Sequence, residues 1–280
     1  MTATLTEGTE QRAHRDARAR HYLMCRPTYF DVTYAINPWM DPSKPVDREL
    51  ALRQWEELRS TYRDLGHRVD VIEPTPGLPD MVFAANAALV LDGKVLGARF
   101  RNEERIPESP AYAAGLRQLV GEPHVPDHIN EGEGDFLAVG ELILAGTGFR
   151  SEPAAHREAQ EYFGRPVVSL QLTDPRYYHL DTAMGVFDDE TIAFYPEAFS
   201  PGSQQVLRRL FPDAIEASAS DAAALGLNAV SDGYHVVISA QATGLAEQLR
   251  ERGYEPVPVD LSELLKAGGG AKCCTLEVRA

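Results

Sequence analysis

The run ELILAGTGFRSEPAAHREAQEYFGRPVVSLQL, residues 141–172, contains two strand patterns that flank a helix pattern. The strand patterns are the apolar runs 141–146 and 166–172, which suit buried strands. The helix pattern covers 152–163 and ends at Gly164, because glycine readily adopts the left-handed conformation that terminates helices. A strand, a helix and a second strand joined by short loops indicate the α/β class.

The same alternation continues along most of the chain. Further strands are predicted at 22–25, 68–72, 81–91, 94–99, 191–195, 235–239 and 255–259, with an extended loop as the alternative for the first half of 81–91. Further helices are predicted at 47–67, 109–120, 202–210 and 243–252. Helices therefore recur at intervals of roughly 40 to 50 residues, which suggests about five similar units.

The sequence predicts one folded domain. Residues 1–18 are polar and lack periodicity, so we expect a flexible N-terminal tail, and no linker divides 19–280. A doubly wound sheet is the competing architecture. However, no GxGxxG or GxxxxGK[ST] motif follows a strand pattern, so a nucleotide site has no support.

Composition limits the classes of function. The 280 residues are 44% hydrophobic and carry a net charge of −15, which argues against nucleic acids and anionic membranes as partners. No apolar run has the length of a transmembrane helix, and the first 20 residues lack the apolar segment of a secretion signal. Three cysteines without CxxC spacing argue against a disulfide framework and a structural zinc site. We therefore expect a cytoplasmic protein.

The segment KAGGGAKCCTL, residues 266–276, offers a candidate nucleophile. Its three glycines, Gly268–Gly270, allow unusual backbone angles and the close approach of a ligand, and they precede Lys272 and Cys273. A nearby cation and free backbone N–H groups favour a thiolate at Cys273. In the alternative interpretation, Cys273 and Cys274 are small residues of a last strand, of which one faces the core.

Two segments offer a candidate general acid/base and its partner. His179 lies in YYHLDT, residues 177–182, and needs an orienting carboxylate and a thiol within reach for this role. The segment INEGEGDF, residues 129–136, carries carboxylates at alternate positions, Glu131, Glu133 and Asp135. They either orient the histidine and bind a cation, or belong to an acidic solvated turn.

Two further segments carry polar residues near predicted element ends. Asp80 and Asn86 flank an apolar strand pattern, where simple turn chemistry is the alternative to a binding role. Arg150 precedes a predicted helix and can bind a carboxylate through two hydrogen bonds, although most such arginines lie on the surface. One nucleophile among many acidic groups suits a cationic electrophile, and a guanidinium is the natural candidate.

Several motifs resemble those of the guanidino-group-modifying enzymes, which include arginine deiminase, dimethylarginine dimethylaminohydrolase, arginine dihydrolase and the amidinotransferases. The resemblance runs in order over about residues 20–280, and NPWM with FAAN looks most like arginine dihydrolase. It implies a five-bladed α/β-propeller of ββαβ units with the site in the central channel. The motifs are NPWM (37–40), PDMVFAAN (79–86), EGEGD (131–135), FR (149–150), YHLDT (178–182) and GGGAKC (268–273).

The resemblance also implies roles for individual residues. Cys273 matches the nucleophile and His179 the general acid/base, while Glu131 and Glu133 are both candidates to orient His179, with the dihydrolase pattern favouring Glu131. The implied substrate contacts are Asn37, Asp80, Asn86, Arg105, Arg150 and Asp181. Arg99 is the alternative to Arg105 for the substrate α-carboxylate.

The implied reaction is the hydrolysis of a guanidino group through a covalent Cys273 amidine (thiouronium), without a metal or an organic cofactor. The substrate would be a free guanidino amino acid, L-arginine slightly ahead of Nω-methylated arginine, because Asp181 suits unmethylated nitrogens. The product would be citrulline or ornithine. The alternatives are a dimethylarginine-specific hydrolase, an amidinotransferase, and an inactive binding protein on the same scaffold. Association into a homo-oligomer stays open.

Overall fold

The structure, a computed structural model, describes residues 15–279. Local sequence signals set the bounds of its helices. The first helix begins after Asp47, whose side chain accepts a hydrogen bond from the Leu50 N–H, and it buries Trp55 and Leu58. The predicted stop at Gly164 is confirmed, because this residue ends its helix with a φ of +71°.

The strands form five small sheets within residues 15–279, and four of the sheets share one design. In each of the four, two strands pair antiparallel, a helix follows the second strand, and a third strand returns parallel to it. The fifth sheet has the antiparallel pair, while its returning segment makes a single parallel bridge between Leu96 and His124.

Strands and helices alternate through all three parts of the chain. The first part contributes β1 (His21–Cys25), α1 (Arg48–Asp64), β2 (Arg68–Ile72), β3 (Ala88–Leu91), β4 (Lys94–Gly97) and α2 (Glu108–Leu119). The middle contributes β5 (Phe136–Val139), β6 (Leu142–Thr147), α3 (Pro153–Phe163), β7 (Val167–Gln171), α4 (Leu180–Ala183), β8 (Met184–Val186), β9 (Ile192–Phe194), α5 (Pro201–Leu210) and β10 (Ile215–Glu216). The last part contributes α6 (Ala219–Ala223), β11 (Val230–Ser231), β12 (His235–Ser239), α7 (Thr243–Glu251), β13 (Glu255–Val259), α8 (Ser262–Leu265) and β14 (Leu276–Glu277).

The two ends of the described chain meet in one sheet. Strand β14 pairs antiparallel with β1, with Leu276 opposite Leu23, and β1 pairs parallel with β2. Large side chains fill the space between sheets and helices, and Trp55, Tyr62 and Phe194 are fully buried. This closure brings the C-terminal segment beside strands formed by the N-terminal part.

One expectation and one alternative interpretation of local structure are wrong. Residues 79–82 and 84–87 form two short 3₁₀ turns, so Asp80 and Asn86 do not flank a strand, which begins only at Ala88. Local hydrogen bonds such as Asn86 N–H to the Phe83 carbonyl hold these turns. Residues 271–274 also form turns, so Cys273 and Cys274 precede the last strand instead of belonging to it.

The predicted N-terminal tail is only partly covered by the structure. Its residues 1–14 lie outside the described residues. Arg15 Nε donates to the Arg252 carbonyl at 2.9 Å, and the Arg18 N–H donates to the Asp232 carbonyl at 3.0 Å. The chain is therefore attached to the domain before the predicted boundary at residue 18. Among the helices of residues 15–279, none combines the length and apolarity needed to cross a bilayer.

Candidate active site

Five segments meet in a buried polar site, and each directly precedes the first strand of a different unit. Asn86 precedes β3, Glu131 precedes β5, Asp181 precedes β8, Asn228 precedes β11 and Cys273 precedes β14. Each of these five side chains is at most 2% exposed. The repeated architecture thus brings together residues that are far apart in the sequence.

The glycines before Cys273 are required by close packing. Gly268 has a φ of +81°, which side chains rarely adopt. A Cβ atom at Gly269 would lie 2.1 Å from the Phe83 ring, so only glycine fits. The prediction of unusual backbone angles at this segment is confirmed at Gly268.

The sulfur of Cys273 has two polar neighbours. Its thiol donates a hydrogen bond to Oδ2 of Asp181 at 3.2 Å, and Nδ2 of Asn228 donates to the sulfur at 3.1 Å. Burial raises the pKa of the Cys273 thiol well above its ordinary value, and the Asp181 carboxylate raises it further. Without a bound cation, the neutral thiol is therefore the resting form.

Cys274 lies on the other side of the same turn. It is fully buried in the cluster that contains Trp55 and Tyr62. Burial raises the pKa of its thiol, and the nearby Asp181 and Cys25 raise it further. Cys274 is therefore an inert thiol in the core, whereas the Cys273 sulfur lies against polar side chains.

His179 is held by a carboxylate at one ring nitrogen and has no partner at the other. Its Nε2 lies 2.7 Å from Oε2 of Glu131, and its buried Nδ1 has no hydrogen-bond partner among the described residues. A Cβ atom at Gly134 would lie 2.2 Å from Nδ2 of Asn86 and 3.3 Å from this ring, so glycine allows both side chains to approach closely. One ring nitrogen is thus available for proton transfer.

Glu131 is an ionised carboxylate. Arg150 donates to its Oε2 at 2.8 Å, and Ser151 Oγ accepts from its backbone N–H at 3.1 Å. Burial alone would raise the pKa of Glu131. The charge of Arg150 and the hydrogen bond from His179 outweigh this effect and hold the pKa well below its ordinary value.

The structure places the alternative carboxylate, Glu133, away from His179. Lys272 Nζ lies 2.5 Å from Oε2 of Glu133, the Glu277 N–H donates to the same oxygen at 2.9 Å, and Arg279 pairs with the other oxygen. Glu133 therefore connects the turn that contains Cys273 to the last strand, while Glu131 contacts His179.

Two buried carboxylates have unused acceptor atoms. Oδ1 of Asp181 and Oδ1 of Asp80 have no hydrogen-bond partner among the described residues, although both side chains are at most 2% exposed. Burial raises the pKa of Asp181 to about 6 and also raises the pKa of Asp80. A buried acceptor without a partner is costly, so a cationic group with N–H donors would satisfy both carboxylates.

The two buried arginines of the predicted set are already paired. Arg105 donates to both oxygens of Glu108, at 2.9 and 2.8 Å, and to Oδ1 of Asn86 at 2.8 Å. Arg150 also donates to the Ile36 carbonyl at 3.0 Å. The alternative, Arg99, is exposed and donates to the Asp127 carbonyl, so it lies outside the site.

A long loop between β1 and α1 covers the site. Tyr34 donates from its hydroxyl to Oδ2 of Asp80 at 2.9 Å, and Nδ2 of Asn37 donates to the Ala267 carbonyl at 3.1 Å. Trp39 donates from its ring nitrogen to the Arg176 carbonyl at 2.7 Å. Asn37 therefore contacts the glycine-rich segment instead of pointing at the Cys273 sulfur.

Sequence reasoning missed Asn228, and it named Asp135 only as one of three candidate carboxylates. Asn228 contacts the Cys273 sulfur, and Asp135 accepts from the Leu180 N–H at 3.1 Å and from Ser151 Oγ at 2.6 Å. No sequence pattern pointed to Asn228, because strand β11, which begins two residues after it, was not predicted. Within residues 15–279, no group of three or more His, Cys, Asp or Glu side chains is placed to hold a metal ion.

Comparisons with known proteins identify similar sequences over almost the whole chain. A profile of the family described as N,N dimethylarginine dimethylhydrolase, eukaryotic, matches residues 27–280. The N(G),N(G)-dimethylarginine dimethylaminohydrolase of Mycobacterium tuberculosis is 55% identical over 266 residues, which cover 95% of this chain and 88% of that protein. The bifunctional arginine dihydrolase/ornithine cyclodeaminase ArgZ of Synechocystis is 38% identical over 91% of this chain and 37% of its own length.

Solved structures show the same mixed α/β fold. The substrate-bound N-terminal domain of ArgZ, a cyanobacterial arginine dihydrolase, matches with a TM-score of 0.89 and 37% identity, covering 93% of this chain and 98% of that domain. A second structure of this ArgZ domain, covalently bound to a reaction intermediate, also has a TM-score of 0.89 and 37% identity, covering 92% of this chain and 97% of that domain.

Proposed function

Because this chain belongs to the N,N dimethylarginine dimethylhydrolase family, we propose that it hydrolyses the guanidino group of L-arginine or of an Nω-methylated L-arginine, with Cys273 as nucleophile. One observation carries this proposal. The Cys273 sulfur lies 3.2 Å from the Asp181 carboxylate, in the same buried site as the His179–Glu131 pair. A covalent intermediate in the related ArgZ domain supports the same type of chemistry.

The first half of the reaction forms a covalent bond to sulfur. The positive charge of a bound guanidinium offsets the effect of Asp181 and favours the Cys273 thiolate, and Nδ1 of His179 accepts the thiol proton. The sulfur attacks the guanidino carbon, so the electron pair of one C–N double bond moves to nitrogen. The imidazolium of His179, stabilised by Glu131, protonates a nitrogen, which leaves as ammonia or as the methylated amine. A thiouronium remains on Cys273.

The second half of the reaction uses water. Neutral His179 removes a proton from water, and the resulting oxygen attacks the thiouronium carbon. The new tetrahedral species collapses with breakage of the C–S bond and releases the Cys273 thiolate, which then takes up the hydroxyl proton. The product is citrulline, and the proton held by His179 leaves with the released amine. In a dihydrolase, further hydrolysis releases the remaining nitrogen and carbon and gives ornithine.

The other buried polar groups bind the substrate in this proposal. Asp80 and Asp181 accept from the guanidinium, and Asn86 completes the polar wall beside them. Arg105 and Arg150 bind the α-carboxylate after rearranging their present contacts. Asn37, on the covering loop, closes the substrate pocket.

L-Arginine is the first candidate substrate, because its guanidinium brings the largest number of N–H donors to the unused buried acceptors. An unmethylated guanidinium carries five N–H donors, and two methyl groups on one nitrogen remove two of them. Asp181 and Asp80 each have one unused oxygen, and Oδ2 of Asp181 is shared only with the Cys273 thiol.

Nω,Nω-dimethylarginine is the second candidate. The specific observation in its favour is the Mycobacterium tuberculosis relative, which is named a dimethylarginine dimethylaminohydrolase and is 55% identical. Methylation keeps the planar positive group, so the roles of Cys273, His179 and Glu131 are the same for both candidates.

Product analysis tests the function. The protein is incubated separately with L-arginine and with asymmetric dimethylarginine, without an added amine, and the products are identified by mass. Ornithine with ammonia, citrulline with ammonia, and citrulline with dimethylamine each identify one reaction. Cys273→Ser is expected to abolish turnover and the covalent adduct, whereas Cys274→Ser retains both. Full activity of Cys273→Ser would overturn the mechanism.

The proposal extends to the architecture and to the compartment. We place the five sheets around a common axis as the blades of a five-bladed propeller, with the site in its channel, because each unit contributes one site segment before its first strand. Residues 19–280 then form a single catalytic domain.

Free thiols at Cys25, Cys273 and Cys274 support a reducing compartment such as the cytoplasm.

A further inference from the structure

We propose that Asn228 is a further catalytic residue, whose side-chain amide donates a hydrogen bond to the Cys273 sulfur and stabilises the thiolate whenever it forms in the cycle. The catalytic role of Asn228 rests on the proposed function, whereas its contact with the sulfur does not. Asn228 is 1% exposed, and its Nδ2 lies 3.1 Å from the sulfur.

The orientation of the Asn228 amide follows from its other partners. Its Oδ1 accepts from the backbone N–H groups of Gly270 and Cys273, both at 3.0 Å. Its Nδ2 also donates to the Asp181 carbonyl at 3.0 Å. A rotation of the amide by half a turn would place N–H groups against N–H groups and an oxygen against a carbonyl. The group that contacts the sulfur is therefore a donor.

The environment of Cys273 gives this donor a function. Burial and the negative charge of Asp181 both oppose the ionisation of the thiol. The side-chain amide of Asn228 is an uncharged donor that favours the thiolate directly, together with the backbone N–H of Gly270, and its hydrogen bond is strongest when the sulfur is charged. Because its position is fixed before substrate binds, the hydrogen bond needs no reorganisation as charge develops.

The thiolate forms twice in one turnover. It forms first when the thiol proton moves to His179, and again when the C–S bond breaks and the electron pair returns to sulfur. A donor fixed at the sulfur lowers the barrier of both steps, because both place negative charge on the same atom. Loss of this donor is expected to slow each half-reaction.

The position of Asn228 in the fold supports the proposal independently. The other four units each contribute a proposed site residue from the segment before their first strand, namely Asn86, Glu131, Asp181 and Cys273. The unit of β11 contributes Asn228 from the equivalent place. Four units thus supply the substrate contacts, the base partner and the nucleophile, and the fifth supplies a donor to the nucleophile.

A purely structural role is the competing explanation, because Asn228 also holds the turn that carries Cys273. Asn228→Asp separates the two roles. The aspartate is isosteric and keeps an oxygen for the N–H groups of Gly270 and Cys273, but it lacks the donor and adds a negative charge. Asn228→Ala removes both roles. The matched control is Gln54→Glu, a buried amide that contacts Asp260 and Ser262 away from the site.

The test measures the ionisation of Cys273 without substrate. The rate of alkylation by iodoacetamide is followed against pH, and the modified peptide is identified by mass, with Cys273→Ser as the blank. The expected result is that the pH midpoint for Cys273 rises by about 1 to 2 in Asn228→Asp, while kcat/KM falls about 10- to 100-fold, and Gln54→Glu leaves both unchanged. Thermal unfolding establishes that the variants are folded.

The outcomes separate this proposal from the proposed function. A folded Asn228→Asp variant whose Cys273 ionises at the wild-type midpoint would overturn the role of Asn228. If neither variant folds, Asn228 acts on the fold and the proposal is abandoned. If the midpoint is raised in Asn228→Asp but the wild-type protein hydrolyses no guanidino group, the role of the hydrogen bond stands and the proposed reaction is wrong.

Discussion

The Nε2 atom of His179 lies 2.7 Å from Oε2 of Glu131, and neither side chain is more than 1% exposed. The same oxygen accepts a hydrogen bond from Arg150, so one carboxylate joins the imidazole of His179 to a buried positive charge. Glu133, two residues away, has no part in this arrangement and pairs with Lys272. This difference between two neighbouring glutamates leads to the first prediction.

Glu131→Gln should lower kcat, whereas Glu133→Gln should lower stability. The glutamine at 131 cannot stabilise an imidazolium at His179, so kcat is expected to fall about 100-fold, and Tm also falls because buried Arg150 loses its carboxylate partner. The glutamine at 133 leaves Lys272 and Arg279 without their buried carboxylate, and the free energy of unfolding is expected to fall by about 3 kcal/mol. Steady-state kinetics and urea unfolding of both variants test this, and an exchange of the two phenotypes would contradict it.

Asp181 should make the stability of the protein depend on pH. Burial raises the pKa of Asp181 to about 6 from its ordinary value of 3.8, so the folded state favours the protonated form. This contribution is fully present below pH 3.8 and is lost as the pH rises through about 6. Asp181→Asn, which carries no charge, should therefore be more stable than the wild type at pH 7, by about 3 kcal/mol, and nearly equal to it at pH 4.

Urea unfolding of the wild type and Asp181→Asn at both pH values measures this difference. Asp189→Asn is the control, because Asp189 is an exposed aspartate paired with Arg18. An Asp181→Asn variant that is less stable than the wild type at pH 7 would contradict the prediction. The same variant should lose activity, because it cannot offer a charged acceptor to a guanidinium.

Tyr34→Phe should weaken substrate binding by loosening the loop that covers the site. The substitution removes the hydroxyl that donates to Asp80, without changing the shape of the ring. We expect KM to rise about 5- to 10-fold, because one hydrogen bond to a charged group is lost. Tyr29→Phe, at an exposed tyrosine of the same loop, should have no effect. Equal KM values for the wild type and Tyr34→Phe would count against a role of this loop in binding.

Arg105→Lys should discriminate between substrates with and without an α-carboxylate. A lysine cannot hold Glu108 and Asn86 and also bind a carboxylate through two hydrogen bonds. We expect kcat/KM for L-arginine to fall at least about 10-fold more than kcat/KM for agmatine, its decarboxylated analogue. Arg99→Lys, at the exposed alternative, should leave the ratio unchanged. An equal fall for both substrates would show that Arg105 does not bind the carboxylate.

Local patterns predicted most of the longer elements. Strands 68–72, 235–239 and 255–259 have the predicted bounds, because each short segment is rich in Val or Ile, which favour strands. Short strands such as β11 and β14 were not predicted. Each has two residues, and its pairing depends on a partner strand instead of on its own sequence.

The sequence by itself determined the chemical types available at the site: a thiol after three glycines, an imidazole, and carboxylates at alternate positions. It did not determine which of these groups face one another. Gly132, with a φ of +53°, turns the chain between Glu131 and Glu133 so that the two carboxylates lie in different surroundings. Only the tertiary structure decides this, because the partners come from loops about 50 to 140 residues away whose positions depend on the packing of separate sheets.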